Sequence, residues 1–183
     1  MDKHVKEAKK QMKKTVESIE NDLKHIRTGR PSPALLDDIR VDYYGTPTQI
    51  SQLAGISVVE RSLMIKPWDK NVMKDVEKSI LASNLGLNPI NDGTNIRLNF
   101  PAPTGEEKKK LARRAHEITE GGKVSVRNIR RDILKEIKKE ENEGNIPEDE
   151  AHKLEDKIQE LTDEHVSEMD RLYKEKEEEI MEV

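Results

Sequence analysis

The sequence predicts an α+β protein: a long three-helix bundle with a small, strand-rich α/β domain inserted between its first and second helices. Three observations carry that prediction. Charged residues make up 38% of the 183-residue chain, against about 25% in an average globular protein. Aromatics make up only 3%, so the chain can build narrow aliphatic seams between exposed helices but hardly a thick aromatic core. Seven of the eight prolines fall between Pro31 and Pro103, together with Tyr43, Tyr44, Trp68 and Phe100; that middle segment differs in kind from both flanks. The expected domains are residues 1–30 with 105–183 for the bundle and 31–104 for the insert.

The first helix is expected over residues 3–28. Val5, Ala8, Met12, Val16, Ile19, Leu23 and Ile26 recur at close to helical period. Gly29 is placed as its left-handed C-terminal cap. Arg30 precedes proline and is pushed out of the helical region, so Arg30, Pro31, Ser32 and Pro33 read as a stiff, extended connector.

The insert alternates strands and turns. Residues 39–44 read as a strand followed by a turn at 45–47. Residues 55–60 and 63–66 read as strands across a tight turn at Arg61-Ser62. A short amphipathic helix is expected over 71–83, with Val72, Val76 and Ile80 inward. Asn91-Asp-Gly-Thr94 signals a turn before a last strand at 95–99. Pro101 and Pro103 close the insert as Pro31 and Pro33 open it, so both chain crossings are proline-stiffened.

Thr104-Gly-Glu-Glu107 fits a capping box, with Thr at the N-cap and Glu three residues on. The second helix is expected to run from there to about Glu143, ending at Gly144-Asn145. Pro147 opens the third helix at its first position, followed by Glu148, Asp149 and Glu150, which suit the helix dipole; that helix can run to the C-terminus. The inward positions are 111, 115, 118, 122, 126, 129, 133 and 137 in the second helix. In the third they are 154, 158, 161, 165, 169, 172, 176 and 180. Both step in an eleven-residue repeat, which implies nearly straight helices. Gly122, His165 and Lys176 interrupt the apolar seams, and packing should be uneven there. Gly121-Gly122 in mid-helix reads as a tolerated weak spot or a close packing contact.

Charge is unevenly spread. Residues 1–30 hold nine Lys and Arg against five Asp and Glu, and residues 105–143 hold twelve against nine; residues 144–183 hold five against fifteen. One acidic arm thus offsets two basic ones, and local charge decides what a surface binds. On the second helix Lys109, Arg113, His116, Lys123, Arg127, Arg130, Arg131 and Lys138 fall within about 60° of Arg127 on a helical wheel, interrupted by Glu120 and Glu141. A solvated charged face would look similar. Two features favour a nucleic-acid contact: arginine, suited to gripping phosphate at two points, occupies the centre of the row, and acidic residues concentrate on the third helix rather than beside it. Arg27 could join this ridge or could serve as favourable charge at a helix C-terminus.

Catalysis is not expected. The chain has no cysteine, its five histidines show no metal-ligand spacing, and no phosphate-binding or dinucleotide motif is present. Adjacent Asp37-Asp38 read as a solvated pair. No catalytic residue, metal site or cofactor is expected, and no membrane segment. The protein is expected to be intracellular and cytoplasmic.

Lys24-His-Ile-Arg-Thr-Gly-Arg-Pro-Ser-Pro33, Tyr43-Tyr-Gly-Thr-Pro47, Ala82-Ser-Asn-Leu-Gly-Leu-Asn-Pro89, Pro101-Ala-Pro-Thr104 and Val126-Arg-Asn-Ile-Arg-Arg-Asp132 together resemble the ribosome recycling factor family. The resemblance runs through the chain in order. It implies an L-shaped two-domain protein that binds the post-termination ribosome between the subunits, its bundle against large-subunit rRNA at the intersubunit face. With elongation factor G and GTP such a protein splits the subunits for reuse. The resemblance implies rRNA contacts at Arg27, Arg127, Arg130 and Arg131, Arg130 foremost; Lys123 and Arg113 join them from the basic face. It places a hinge at Arg30, Pro31, Ser32 and Pro33 and at Pro101, Ala102, Pro103, Thr104 and Gly105. Positions 108–110 depart from the family pattern: all are Lys where Arg is expected, so any contact there would be a point charge rather than a fork. A monomer is expected; the alternative function is a helical cochaperone or oligomeric adaptor.

Overall fold

A computed structural model describes residues 2–183 and is α+β. The chain divides into two compact units: one takes in the chain up to Thr28 together with Thr104–Glu182, the other Gly29–Pro103.

The first unit is three long helices, α1 (Lys3–Lys24), α4 (Gly105–Asn142) and α5 (Glu148–Met181). α4 begins as the capping box requires. Thr104 Oγ1 accepts from the Glu107 amide at 3.2 Å, and Glu107 Oε2 accepts from the Thr104 amide at 2.7 Å, which satisfies two otherwise orphaned donors. It ends at Asn142, with Gly144 in the left-handed region at φ 76°. Pro147 is the N-cap of α5 rather than its first helical residue: its ψ of 149° is extended, and its carbonyl accepts from Ala151 at 2.9 Å. α1 is shorter than its periodicity suggests. The His25 ring nitrogen bonds the Asn21 carbonyl at 2.7 Å and caps the helix there. Gly29 is left-handed, at φ 79°, but stands five residues beyond the helix end. The unwound stretch still packs: Ile26 and Thr28 are buried, and Thr28 Oγ1 donates to Glu179.

The bundle core is one aliphatic seam, including Val5, Ala8, Met12, Val126, Ile137, Ile158 and Met169. The three seam positions that are not apolar have separate explanations. His165 is buried with Nδ1 2.6 Å from the Leu161 carbonyl, and Lys176 reaches Glu179 at 3.1 Å. At Gly122 the helices come too close for any side chain. A Cβ there would lie 2.6 Å from Ile19 Cγ1 and 2.9 Å from Met169 Sδ, whereas at Gly121 it would meet open space.

The second unit carries two antiparallel sheets. β1 (Arg40–Tyr43) pairs with β2 (Thr46–Gln49), a strand that begins where residue preferences suggest a turn. The turn is the two residues Tyr44-Gly45, at φ 48° and 85°, the pair of positive φ values that tight hairpins favour. Pro47 is tolerated in β2 because the strand is paired on one side only. A one-turn helix, α2 (Ile50–Leu53), which no sequence signal marks, leads into β3 (Ala54–Val59).

β3 pairs with β4 (Ser62–Pro67), and β4 with β6 (Ile96–Asn99), which pairs with β5 (Ile90–Asn91); the sheet order is β3-β4-β6-β5. The β3–β4 turn is Glu60-Arg61, one residue earlier than expected. Glu60 takes φ 54°, while Ser62 pairs with Asn99 and donates to its Oδ1 at 2.7 Å. α3 (Met73–Leu81), preceded by a 3-10 turn at Lys70–Val72, packs Val72, Val76 and Ile80 into the core with Leu63, Ile65 and Leu98. The insert's aromatics divide: Phe100 is buried in that core and Tyr43 packs against it, whereas Tyr44 is 78% and Trp68 71% exposed. No helix among the described residues is long and apolar enough to cross a membrane.

The two adjacent glycines make opposite predictions. Gly122→Ala is expected to destabilise the protein by about 1–3 kcal/mol, the usual cost of overpacking. Gly121→Ala is expected to stabilise it by up to about 1 kcal/mol, the helix-propensity difference. Urea unfolding of both variants beside the parent checks the two signs.

Candidate nucleic-acid interface

α4 and α5 pack antiparallel, and the contacts between them form a ladder. Lys108 Nζ donates to the Met181 carbonyl at 3.1 Å, the His116 and Tyr173 rings meet edge to face at 5.3 Å, Lys123 pairs with Asp170, and Arg130 Nη1 donates to Gln159 Oε1 at 3.0 Å. The row containing Lys123 and Arg130 therefore borders the α4–α5 groove, and α5 supplies the groups that face it.

Along this row the lysines and arginines part company. Lys123, only 13% exposed at its side chain, pairs with Glu120 at 2.8 Å and with Asp170. Lys138 lies 2.8 Å from Glu141. No carboxylate lies within ion-pair distance of Arg113, Arg127, Arg130 or Arg131 among the described residues, and Arg113, Arg127 and Arg131 are exposed. Among the described residues, the cations on the row with no carboxylate in ion-pair distance are thus the four arginines and Lys109. The expectation that the acidic helix stands apart from the basic row holds only in part, because antiparallel packing brings Asp170 across to Lys123.

Arg130 is held differently from its neighbours. It is half-buried, its Nε is buried without a hydrogen-bond partner, and Nη1 bonds Gln159. An unpartnered buried donor costs roughly 1–3 kcal/mol. Gln159 Nε2 in turn donates to Asp163 Oδ1 at 2.9 Å. Neither Gln159 nor Asp163 stands out in the sequence, since their role depends on the offset between two helices.

Arg27 is exposed just beyond α1. α1 runs antiparallel to α4, with His4 beside Glu140 and Ile19 beside Gly122. Arg27 is therefore carried toward the level of Arg113, roughly 20 Å along the axis from Arg127–Arg131 at 1.5 Å per residue. The structure does not gather it with the other three arginines.

The connector residues fall into distinct settings. Arg30, Pro31 and Ser32 have no regular secondary structure, but Pro33 is not extended: it opens a 3-10 helix, Pro33–Leu36. Pro101, Ala102 and Pro103 are irregular, Thr104 is the N-cap of α4, and Gly105 is its first residue. Arg61, in the β3–β4 turn, carries no sequence signal of its role. Its Nε donates to the Phe100 carbonyl at 3.2 Å, and its Nη2 to the Gly29 and Pro101 carbonyls at 3.4 and 3.2 Å. One guanidinium thus joins the start and the end of the insert. Among the described residues no group of three or more His, Cys, Asp or Glu is placed to hold a metal ion.

A family model described as Ribosome recycling factor matches residues 19–181. The chain is similar to the ribosome-recycling factor of Thermotoga petrophila, at 59% identity over 97% of each chain. It is similar to that of Petrotoga mobilis at 50% identity over 98% of this chain and 96% of the relative. Among solved structures it resembles a solution structure of the ribosome recycling factor, with TM-score 0.72 and 41% identity over the full length of both chains. It also resembles a chain in a set of models of the T. thermophilus ribosome recycling factor and E. coli elongation factor G bound to the E. coli post-termination complex. That match has TM-score 0.59 and 40% identity, covering 97% of this chain and 96% of the other.

The Lys123 cluster yields a pH-dependent prediction. The Lys123 ammonium, hydrogen-bonded to Asp170 and then to Glu120, is held above the ordinary lysine value; Glu120, bonded to Lys123, is held below the ordinary glutamate range. The Glu120 contribution is therefore present at neutral pH and lost as pH falls through its lowered value. The Lys123 contribution is lost only as pH rises through its raised value. Lys123→Ala is expected to cost about 0.5–1 kcal/mol at pH 7, small because both carboxylates are substantially exposed. The cost should shrink toward pH 3, as urea unfolding at the two pH values would show.

Proposed function

The chain belongs to the ribosome recycling factor family, and from that premise we propose that it binds the post-termination ribosome and, with elongation factor G and GTP, splits the subunits for reuse. The observation that carries the proposal to particular residues is the row Arg127, Arg130 and Arg131 on α4, which has no carboxylate within ion-pair distance, while Lys123 and Lys138 on the same face are paired internally. An arginine paired with no carboxylate keeps its full charge for phosphate. We assign these three residues to large-subunit rRNA at the intersubunit face. Arg113 and Arg27 form a second point of contact further along the bundle. Lys123 contributes more to holding α4 against α5 than to an external anion. The T. thermophilus relative, bound with elongation factor G to a post-termination complex, supports the same partners here.

No step in this reading requires an active site in the chain. The bundle acts as a rigid body anchored by phosphate contacts, and the energy comes from the partner's GTP. The insert moves on the segments at Arg30–Pro33 and Pro101–Gly105; the first lies just past the Thr28–Gly29 boundary between the two units and the second spans the Pro103–Thr104 boundary. The place of action is the cytoplasm. A helical adaptor built for self-association would need an exposed apolar stripe on the bundle. Among the described residues the exposed large hydrophobics there are Val124 and Met181, which favours a monomer.

Arg130→Ala is expected to weaken ribosome binding by about 1–3 kcal/mol, the range for a charge-assisted contact, with a thermal midpoint close to the parent's. Co-sedimentation across a potassium chloride series should show binding that falls steeply with salt. Subunit splitting, followed by light scattering, should require elongation factor G and GTP; splitting without either would contradict the mechanism. Solution X-ray scattering of the free protein should need more than one interdomain angle, and a fit by one rigid arrangement would count against the hinge.

A further inference from the structure

We propose that Gln159 is a positioning residue for Arg130: a neutral acceptor that fixes the guanidinium in direction and leaves its charge available to a phosphate. The inference rests on the reading of Arg130 as an rRNA contact and adds a residue on another helix. α5 is acidic along most of its length, with Glu155, Asp156, Glu160, Asp163 and Glu164 all within five residues of Gln159. Yet the group that meets Arg130 is an amide. Where α5 presents a carboxylate to α4 instead, at Asp170, the cation it meets is tied into an internal ion pair.

The orientation of the amide is itself determined. Its Nε2 donates to Asp163 Oδ1 at 2.9 Å, which leaves Oε1 as the end turned to Arg130. A flipped amide would set its NH2 against the guanidinium, donor against donor, and would abandon Asp163. Asp163 thus acts on Arg130 only through the amide, orienting the acceptor without pairing its charge with the arginine. The Arg130 Nε is buried and makes no hydrogen bond, so the Gln159 bond alone sets the direction of the guanidinium by hydrogen bonding. A fixed fork loses less freedom when it meets a phosphate, and preorganisation of this kind raises affinity without adding a contact.

The test compares Gln159→Leu, Gln159→Glu and Arg130→Ala in ribosome co-sedimentation over a potassium chloride series. Gln159 is exposed, so the variants should unfold at the parent's midpoint, which circular dichroism verifies. Gln159→Leu removes the acceptor but keeps the arginine: binding should weaken about 3- to 10-fold at every salt concentration, as a lost preorganising bond would give, with the salt slope unchanged. Gln159→Glu converts the bond to an internal ion pair: affinity should fall to that of Arg130→Ala. The slope should fall with it, by roughly 0.7–0.9 for one lost phosphate contact. A residue with only a structural role would not alter that slope. If both Gln159 variants bind like the parent while Arg130→Ala is weak, the positioning role is overturned and the Arg130 contact stands. If Arg130→Ala itself binds like the parent, the contact has failed and the inference falls with it.

Discussion

The close approach of three helices at Gly122 is the constraint on which the bundle depends. A seam made of aliphatic side chains alone permits sliding, because one Ile or Leu is much like the next a turn away. Gly122 removes that freedom: Ile19 and Met169 occupy the space its Cβ would take, and a shift of either helix would put a side chain there. The register so fixed places His4 against Glu140 in one direction, and Lys123 opposite Asp170 and Arg130 opposite Gln159 in the other. The electrostatics of the candidate interface are therefore a consequence of packing at a residue that carries no charge and touches no ligand.

Much of the fold was legible because local chemistry and tertiary packing agree. The Thr104–Glu107 box starts α4, Val72, Val76 and Ile80 face inward from the short helix segment, and both eleven-residue seams line the core. The failures are cases where a side chain or a backbone conformation intervened. His25 caps its own helix and ends it early. Tyr44 and Glu60, neither of them glycine, accept positive φ and move two turns by a residue, which turns Thr46 and Pro47, expected in a turn, into the start of strand β2. Nothing in residue preference marks those positions, since left-handed Tyr or Glu is uncommon.

The candidate site divides the same way. Arg127, Arg130 and Arg131 could be read as one helical face from spacing alone. Which cations on that face are already paired could not, because pairing depends on the offset between α4 and α5. Periodicity gives the phase of each helix but not the displacement between two. The same holds at the insert. Arg61 is an unremarkable turn residue in the sequence, and only the β3–β4 and β4–β6 pairings carry it to Gly29, Phe100 and Pro101. The first and last backbone segments of the insert are thereby tied to one side chain, so a disturbance at either is felt at both.

The scarcity of aromatic residues has an optical consequence. Trp68 is the chain's one tryptophan; it lies in the insert and is already wet in the native state, 71% exposed. Its emission reports on the insert alone and from a ring whose surroundings change little on unfolding. The bundle holds a single aromatic, Tyr173, but most of the helical residues, so far-ultraviolet ellipticity is weighted toward it. Ellipticity therefore follows the bundle, whereas the insert can come apart with little change in tryptophan emission, and its unfolding has to be followed by a probe other than Trp68.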